Sequence, residues 1–413
     1  MNVSTPPFSG ISATLLAGGR TIHSTFKVPL DTANKEFPTC NISKGTPLAK
    51  LLCIVSAIIF DECTMPHSSV FEAIDRTLQD IKGCKTEFGG IPVLFCGDYR
   101  QILPVVRNAR RGQIVSATLK RSLLWKNIAV RQLTINMRAR LSADPNEEQF
   151  CEQLLQLGEG KMECVEDTNT VVLPQSFGHC VFVASELEQT LYPDIASNFR
   201  NVDWLAERTI LAPHNASVNS MNEALLQKIP GELFVCQSVD TADNDDESNL
   251  YPTEFLNSLP PAGLPQHNLH LKEGAPIIIL RNLDPPRATN GTRCIVRKVH
   301  HFVLKVEIAV GDFKGEHILI PRIPLRPSAS DLPFSFTRLQ FPVRLCFSMT
   351  INKAQGQTFK HVGVDLREDC FSHGQLYVAA SRTGSPSNLT FLLQTEGSRT
   401  TKNPVFKEIF NDN

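Results

Sequence analysis

No Gly-x-x-x-x-Gly-Lys-[Ser/Thr] occurs anywhere in the 413 residues. That pattern builds a phosphate cradle from consecutive backbone N–H groups, a lysine and a magnesium-binding hydroxyl. The nearest stretch, KGCKTEFGG at 82–90, has Lys85 and Thr86 but no glycine loop before them, and Gly18-Gly19 has no lysine beside it. A charge excess is also missing. Lys and Arg number 41 against 42 Asp and Glu, a net charge of −1, so any polyanion must be met by a local patch. No Cys-x-x-Cys pair occurs among the twelve cysteines, which argues against a zinc site. Several lie in apolar strand-like runs such as LFCGD and RLCFS, and they read as reduced core cysteines of an intracellular protein. The longest apolar stretch, LLCIVSAIIF, is about half of what a membrane span needs. MNVSTPPFSG, at the start, carries neither the basic nor the apolar segment of a secretory leader. These absences predict a soluble, non-membrane protein, nuclear in the first instance, with cytosol or mitochondrion as alternatives.

The length and the hydrophobic content of 42% predict a globular chain of two or three domains. Residues 46–140 alternate helix and strand. PLAKLLCIV leads into the strand SAIIF. HSSVFEAIDRTLQDIKG then carries Val70, Phe71, Ile74, Leu78 and Ile81 at helical spacing, with Ser68 or Ser69 as the start cap and Gly83 as the stop. IPVLFCGD is a second continuous apolar strand. Runs of this kind belong to a parallel sheet buried on both faces, and hence to an α/β domain. RTILAPHNASVNSMNEALLQKI reads as strand, turn and helix. Residues 238–268, polar, acidic and proline-containing, read as a solvated surface excursion. Residues 274–326 carry short strands with Asn-Gly and Gly-Asp turns, a small β-barrel or sheet insert. The α/β pattern resumes at PVRLCFSMTINKAQGQTF.

Chemistry collects where strands end. SAIIF runs into Asp61 and Glu62. An aspartate there can hold Mg²⁺, and the adjacent glutamate can orient or deprotonate an attacking water. GDYRQ, Gly97–Gln101, follows the second strand and should share the same rim. Gln101 is neutral, with both a donor and an acceptor, and suits sensing a terminal phosphate. LTINMRAR places Arg138 just beyond a strand-like run, where it could stabilise charge on a phosphoryl group. SMTINKAQGQTF offers Thr350, Lys353, Gln355, Gln357 and Thr358 around Gly356 for phosphate contact. QLYVAASRT ends a helix-like segment in Arg382, a second phosphate clamp. RNARRGQ and RKVHH are local basic stretches.

In this order, FDECTM, GDYRQILPV, LTINMR, MTINKAQGQTF and LYVAASRT resemble motifs II to VI of the petite-integration-frequency (Pif) family of superfamily-one DNA helicases, Helitron-transposon forms included. GGRTIHSTFKVPL resembles the family's strand-contacting segment. The resemblance covers essentially the whole chain. It implies an α/β fold of two RecA-like parallel-sheet domains, the first N-terminally truncated, with a small β-barrel insert in the second. The implied boundaries are 1–145, then 146–235 with 335–413, and 236–334 for the insert. It implies ATP as substrate, Mg²⁺ as cofactor, single-stranded DNA and duplex junctions as partners, a monomer, and 5′-to-3′ unwinding. The settings it implies are DNA repair, recombination, telomere maintenance or transposon replication. Residue by residue, Asp61 would bind Mg²⁺, Glu62 activate water and Gln101 sense the γ-phosphate. Arg138 and Arg382 would contact that phosphate from the second side. Gly356 would couple nucleotide state to DNA grip. Thr21, His23, Ser24, Thr350, Lys353, Gln357 and Thr358 would touch DNA.

The missing cradle departs from this family, which places it upstream of the segment that here begins near Ser9. The chain therefore reads as a fragment of a helicase that starts after its phosphate loop, with weak or absent ATPase activity. The alternative is a catalytically inactive single-stranded-DNA-binding remnant.

Overall fold

The structure, a computed structural model, describes residues 3–4, 21–135, 145–165, 169–243, 251–261, 263–327 and 334–411. The chain forms two compact units. One comprises Met1–Phe182, Ala354–Thr358 and Leu366–Asn413, the other Val183–Lys353 and Phe359–Asp365. These units cut the chain differently from the expected boundaries. Within the first unit Phe406 and Ile409 share an apolar cluster with Leu103 and Val115.

In the first unit β1 (Val3–Ser4), β2 (Ala57–Phe60) and β3 (Val93–Phe95) form a parallel sheet in that order. Ser4 pairs with Ile58, and Ile58 with Val93. Helices α1 (Ile22–Phe26), α2 (Pro47–Cys53) and α3 (Ser68–Lys82) accompany it. The helical spacing of α3 holds. Val70, Phe71, Ile74 and Leu78 are buried, and Gly83 closes the helix in the left-handed region. Its start cap is neither serine but His67, whose Nδ1 accepts from the Ser69 amide at 3.1 Å. Both serines are buried, and Ser69 Oγ donates to Thr32 Oγ1 instead. Phe60 is fully buried at the centre of this core, 5.3 Å from Phe71 and 5.4 Å from Phe95 between ring centroids. A side chain buried in this way contributes about 1.5–3 kcal/mol. The expectation of strands buried on both faces fails at β3, where Leu94 is 55% exposed.

The second unit has a parallel core of Ser348–Thr350, Arg208–Ala212 and His361–Asp365, with Arg208–Ala212 central. Every residue of that central strand is buried, Arg208 and Thr209 included. The helix Asn215–Lys228 follows it directly. From this helix the buried Asn222 clamps Ser348, accepting from its amide at 2.9 Å and donating to its carbonyl at 3.0 Å. The β signals of 274–326 resolve into a five-stranded antiparallel sheet, ordered His317–Pro321, Val303–Ile308, Arg293–Val299, Pro276–Ile279 and Val343–Leu345. A second antiparallel sheet joins Ile323–Leu325, Phe336–Gln340 and Val239–Ala242.

Residues 238–268 are therefore not simply a solvated excursion. They supply the strand Val239–Ala242 and the helix Thr253–Ser258, and Asp240 is fully buried against Arg338. All twelve cysteines are free thiols. Six are buried, but Cys53 and Cys164 are exposed, so the core reading does not extend to them. Among the described residues no helix is long and apolar enough to cross a membrane.

Candidate functional site

In the first unit, β2 ends at Phe60 and delivers Asp61 and Glu62 to the C-terminal rim of the sheet. Asp61 Oδ1 accepts from the Glu62 amide at 2.9 Å. Glu62 sits at φ +53°, in the left-handed region that a glutamate rarely adopts. Such strain persists only where surrounding structure imposes it, and it clusters at functional sites. Burial, and then the neighbouring Asp61 charge, push the Glu62 carboxyl above the ordinary carboxylate range. Gln355 and Arg382 act in the opposite direction. Gln355 Nε2 donates to Glu62 Oε2 at 3.3 Å.

The loop after β3 is held from the same unit's C-terminal segment. Tyr377 donates its hydroxyl to Asp98 Oδ2 at 2.8 Å. Arg100 bridges Asp98 at 3.2 Å and Glu159 at 2.6 Å. His373, fully buried, faces the Tyr99 carbonyl through Nε2 at 2.7 Å and accepts the Phe406 amide on Nδ1 at 2.9 Å. That pair of bonds needs a neutral ring protonated at Nε2, in line with the downward push that burial gives its pKa. Gly374, at φ +75°, lets the chain pass against this loop; a Cβ there would lie 2.5 Å from the Arg100 carbonyl oxygen.

The result is a positioned set. Glu62 is flanked by Asp61, Gln355, Arg382 and Asp98. The Arg382 guanidinium is buried and anchored by the carbonyls of Val378 at 2.8 Å and Gln357 at 3.1 Å. Arg382 and Glu62 lie in the same compact unit. Gln101 Oε1 and Gln355 Oε1 are buried acceptors without a hydrogen-bond partner. Buried polar groups are normally satisfied, so such acceptors mark where a donor-bearing ligand or water fits. Gly356 turns the chain at φ +78°, with Gln357 buried and Thr358 exposed beside it.

The remaining expected residues lie elsewhere. Thr21 caps α1, its Oγ1 accepting from the Ser24 amide at 3.3 Å; His23 is half-buried and Ser24 exposed. Burial lowers the His23 pKa. Arg138 lies outside the described residues. Thr350 and Lys353 belong to the second unit. There burial, followed by the charges of Arg344 and Arg281, pushes the Lys353 pKa down to about 8. Arg344 Nη1 donates to Asn215 Oδ1 at 3.0 Å, while its buried Nε has no partner. Asn215 opens a 14-residue helix whose cap residue, His214, makes no side-chain cap bond. Helix-start amides beside clustered cations are a place for an anion.

Sequence reasoning placed Arg100 on the rim but missed Tyr377, His373, Arg281 and Arg344 as partners. Only Tyr377 left a trace, standing five residues before Arg382 on the helix Gln375–Ala380.

Residues 2–168 match the family model of the PIF1-like helicases, and residues 254–299 that of the DNA helicase Pif1 2B domain. The chain is 24% identical to the ATP-dependent DNA helicase Pif1 of Psychrobacter sp. (strain PRwf-1), covering 94% of this chain and 61% of that protein. It is likewise 24% identical to the ATP-dependent DNA helicase PIF1 of Danio rerio, covering 90% of this chain and 51% of that one. The chain thus spans about half to three-fifths of these relatives. Among solved structures it resembles the Pif1 helicase from Bacteroides in complex with ADP-AlF3 and ssDNA, with TM-score 0.68 and 21% identity over 99% of this chain and 86% of that one. It also resembles the Pif1 helicase from Candida albicans, with TM-score 0.62 and 22% identity over 99% and 87%. Parallel α/β units with a strand-end carboxylate pair define a RecA-like protein. Within that class, the chain belongs to the Pif1-like helicase family.

Proposed function

We propose that this chain is part of an ATP-dependent DNA helicase that couples hydrolysis to 5′-to-3′ movement on single-stranded DNA and to unwinding at duplex junctions. It acts as a monomer, in the nucleus, in repair, recombination, telomere maintenance or transposon replication. The observation that carries the reading is Glu62. It is a strained, desolvated carboxylate beside Asp61, bonded by Gln355 and within reach of the Arg382 charge, with unpartnered acceptors on Gln101 and Gln355. A carboxyl with a raised pKa is poised to take a proton from water. Asp61 Oδ2 has no hydrogen-bond partner among the described residues, which fits a cation held by one carboxylate together with substrate phosphates. Mg²⁺ there would neutralise charge developing on the phosphates. Gln101 would read the terminal phosphate, and Arg382, with Arg138, would stabilise its charge. Thr21, His23, Ser24, Thr350, Lys353, Gln357 and Thr358 would contact the DNA strand.

The phosphate loop is the part these residues do not supply. The outer side of β3 has room for a strand that carries one: among the described residues β3 pairs only with β2, and Leu94 is exposed. We propose that the 413 residues by themselves hydrolyse ATP weakly or not at all. The second reading, a strand-binding module without catalysis, is favoured by the Arg344, Lys353 and Arg281 cluster at a helix start.

One set of samples tests both readings. Phosphate release is followed with ATP, Mg²⁺ and oligo-dT, and anisotropy of a labelled oligo-dT is followed without nucleotide. Salt-sensitive binding with little turnover is expected. Robust turnover abolished by Glu62→Gln would refute the need for a separate phosphate loop. No binding at low salt would refute the DNA reading.

A further inference from the structure

The hairpin of Arg293–Val299 and Val303–Ile308 ends in an aromatic tip. Phe302 is 72% exposed, and the His301 ring packs edge-on to it with centroids 4.3 Å apart. Just below the tip Lys298 and Lys305 stand directly opposite each other across the two strands. Like charges in that position destabilise a sheet. Neither lysine has an ion-pair partner among the described residues. The next strand sets the exposed Leu319 beside Lys305. Glu307, two residues from Lys305 on the same face, is already engaged by Arg297 at 2.8 Å. The face is therefore cationic by two uncompensated lysines, beside an aromatic ring presented to solvent.

We propose that this hairpin is a second contact for single-stranded nucleic acid, with Lys298 and Lys305 on backbone phosphates and Phe302 stacked on an unpaired base. Charge complementarity favours this occupant. A phosphate strand relieves the opposed lysines, and every base offers a face for stacking. An acidic protein surface would use the lysines but has no flat partner for Phe302. The inference rests on the DNA reading above and extends it to a surface separate from Arg344 and Lys353.

The test is anisotropy with labelled oligo-dT across a salt series, with heparin as a base-free polyanion. Phe302→Ala should weaken oligo-dT about tenfold, the order of one base–aromatic stack, and leave heparin unchanged. Lys298→Ala with Lys305→Ala should flatten the logarithmic salt dependence by about 1.4, or about 0.7 per phosphate contact. Thermal unfolding checks the fold: removing opposed like charges should leave the lysine variant at least as stable as the parent. Variants that bind oligo-dT like the parent overturn this inference and leave the DNA reading standing. Equal losses for heparin and oligo-dT in Phe302→Ala overturn base stacking. A parent protein that binds no oligo-dT sinks the DNA reading and this inference with it.

Discussion

Arg338 and Asp240 offer a quantitative test of how the second unit is held together. Both side chains are fully buried. The guanidinium reaches Asp240 through Nε at 3.0 Å and Nη2 at 2.6 Å. It also donates to the carbonyls of Leu256 at 3.0 Å, Pro265 at 3.1 Å and Leu259 at 3.2 Å. Asp240→Ala leaves a buried charge unpaired, at a cost of about 3–5 kcal/mol. Arg338→Met strands the carboxylate and also orphans three carbonyls, each worth about 1–3 kcal/mol, so it should cost more. An ordinary buried pair can be replaced by apolar residues with little loss. Here the double variant should stay nearly as unstable as Arg338→Met, because the carbonyls remain unpaired. Amide hydrogen exchange localises the effect. The amides of Leu256, Leu259 and Leu264, which bond within this segment, should exchange about a hundredfold faster or more in Asp240→Ala, the factor that corresponds to about 3 kcal/mol. A cost below about 1 kcal/mol, as for an exposed pair, would refute the reasoning. So would two single-variant costs that simply add.

Gly374→Ala should destabilise the protein by roughly 2–5 kcal/mol, about 1–2 for a Cβ in the left-handed region and about 1–3 for overpacking against the Arg100 and Gln101 backbone; urea unfolding measures it, and a change below about 1 kcal/mol would contradict the contact. Glu62 has a folded pKa above its ordinary 4.5, so the folded state binds the extra proton and stability falls as pH rises from 4.5 through the raised value. Glu62→Gln should therefore melt higher than the parent above that window and equal to it below; no difference at pH 7 would count against a desolvated carboxylate. Lys353, lowered to about 8, should lose its charge as pH climbs through that value, weakening oligo-dT binding in the parent but not in Lys353→Met. Identical pH profiles for the two proteins would remove Lys353 from the DNA track.

The parts of the fold that the sequence made legible are those governed by local period and strand-end chemistry. The α3 face is readable because Val70, Phe71, Ile74 and Leu78 recur at helical spacing, and the rim position of Asp61 because an apolar run stops there. The illegible parts depend on long-range closure. Nothing local in VDTA says that Asp240 will be buried, since the arginine that compensates it comes 98 residues later. His67 took the cap from two serines for a similar reason: Ser69 found Thr32, 37 residues upstream, and was drawn inward. The contacts of Tyr377, His373 and Gly374 with the loop after β3 were illegible for the same reason, since their partners Asp98, Tyr99 and Arg100 lie more than 270 residues upstream.

The strand-like run that leads to Arg138 is the most instructive mismatch. Its apolar content reads as a strand, yet residues 128–135 form none, and Leu133 is 96% exposed, with Val130 and Ile135 more than half exposed. A strand needs a neighbour for its N–H and C=O groups, and propensity alone does not supply one. β3 shows the complementary deficit, with one edge paired among the described residues and an exposed Leu94. Among the described residues, two separate segments of one unit thus lack the same kind of partner. Under the proposed function a single parallel strand answers both, pairing with β3 on one side and with 129–135 on the other. A loop at its carboxyl end would open onto the rim that holds Asp61, Glu62 and Gln101, because ligands in open parallel sheets collect there. On that proposal the absent phosphate cradle and the exposed Leu94 and Leu133 would share one cause, a strand position in the sheet that no described residue fills.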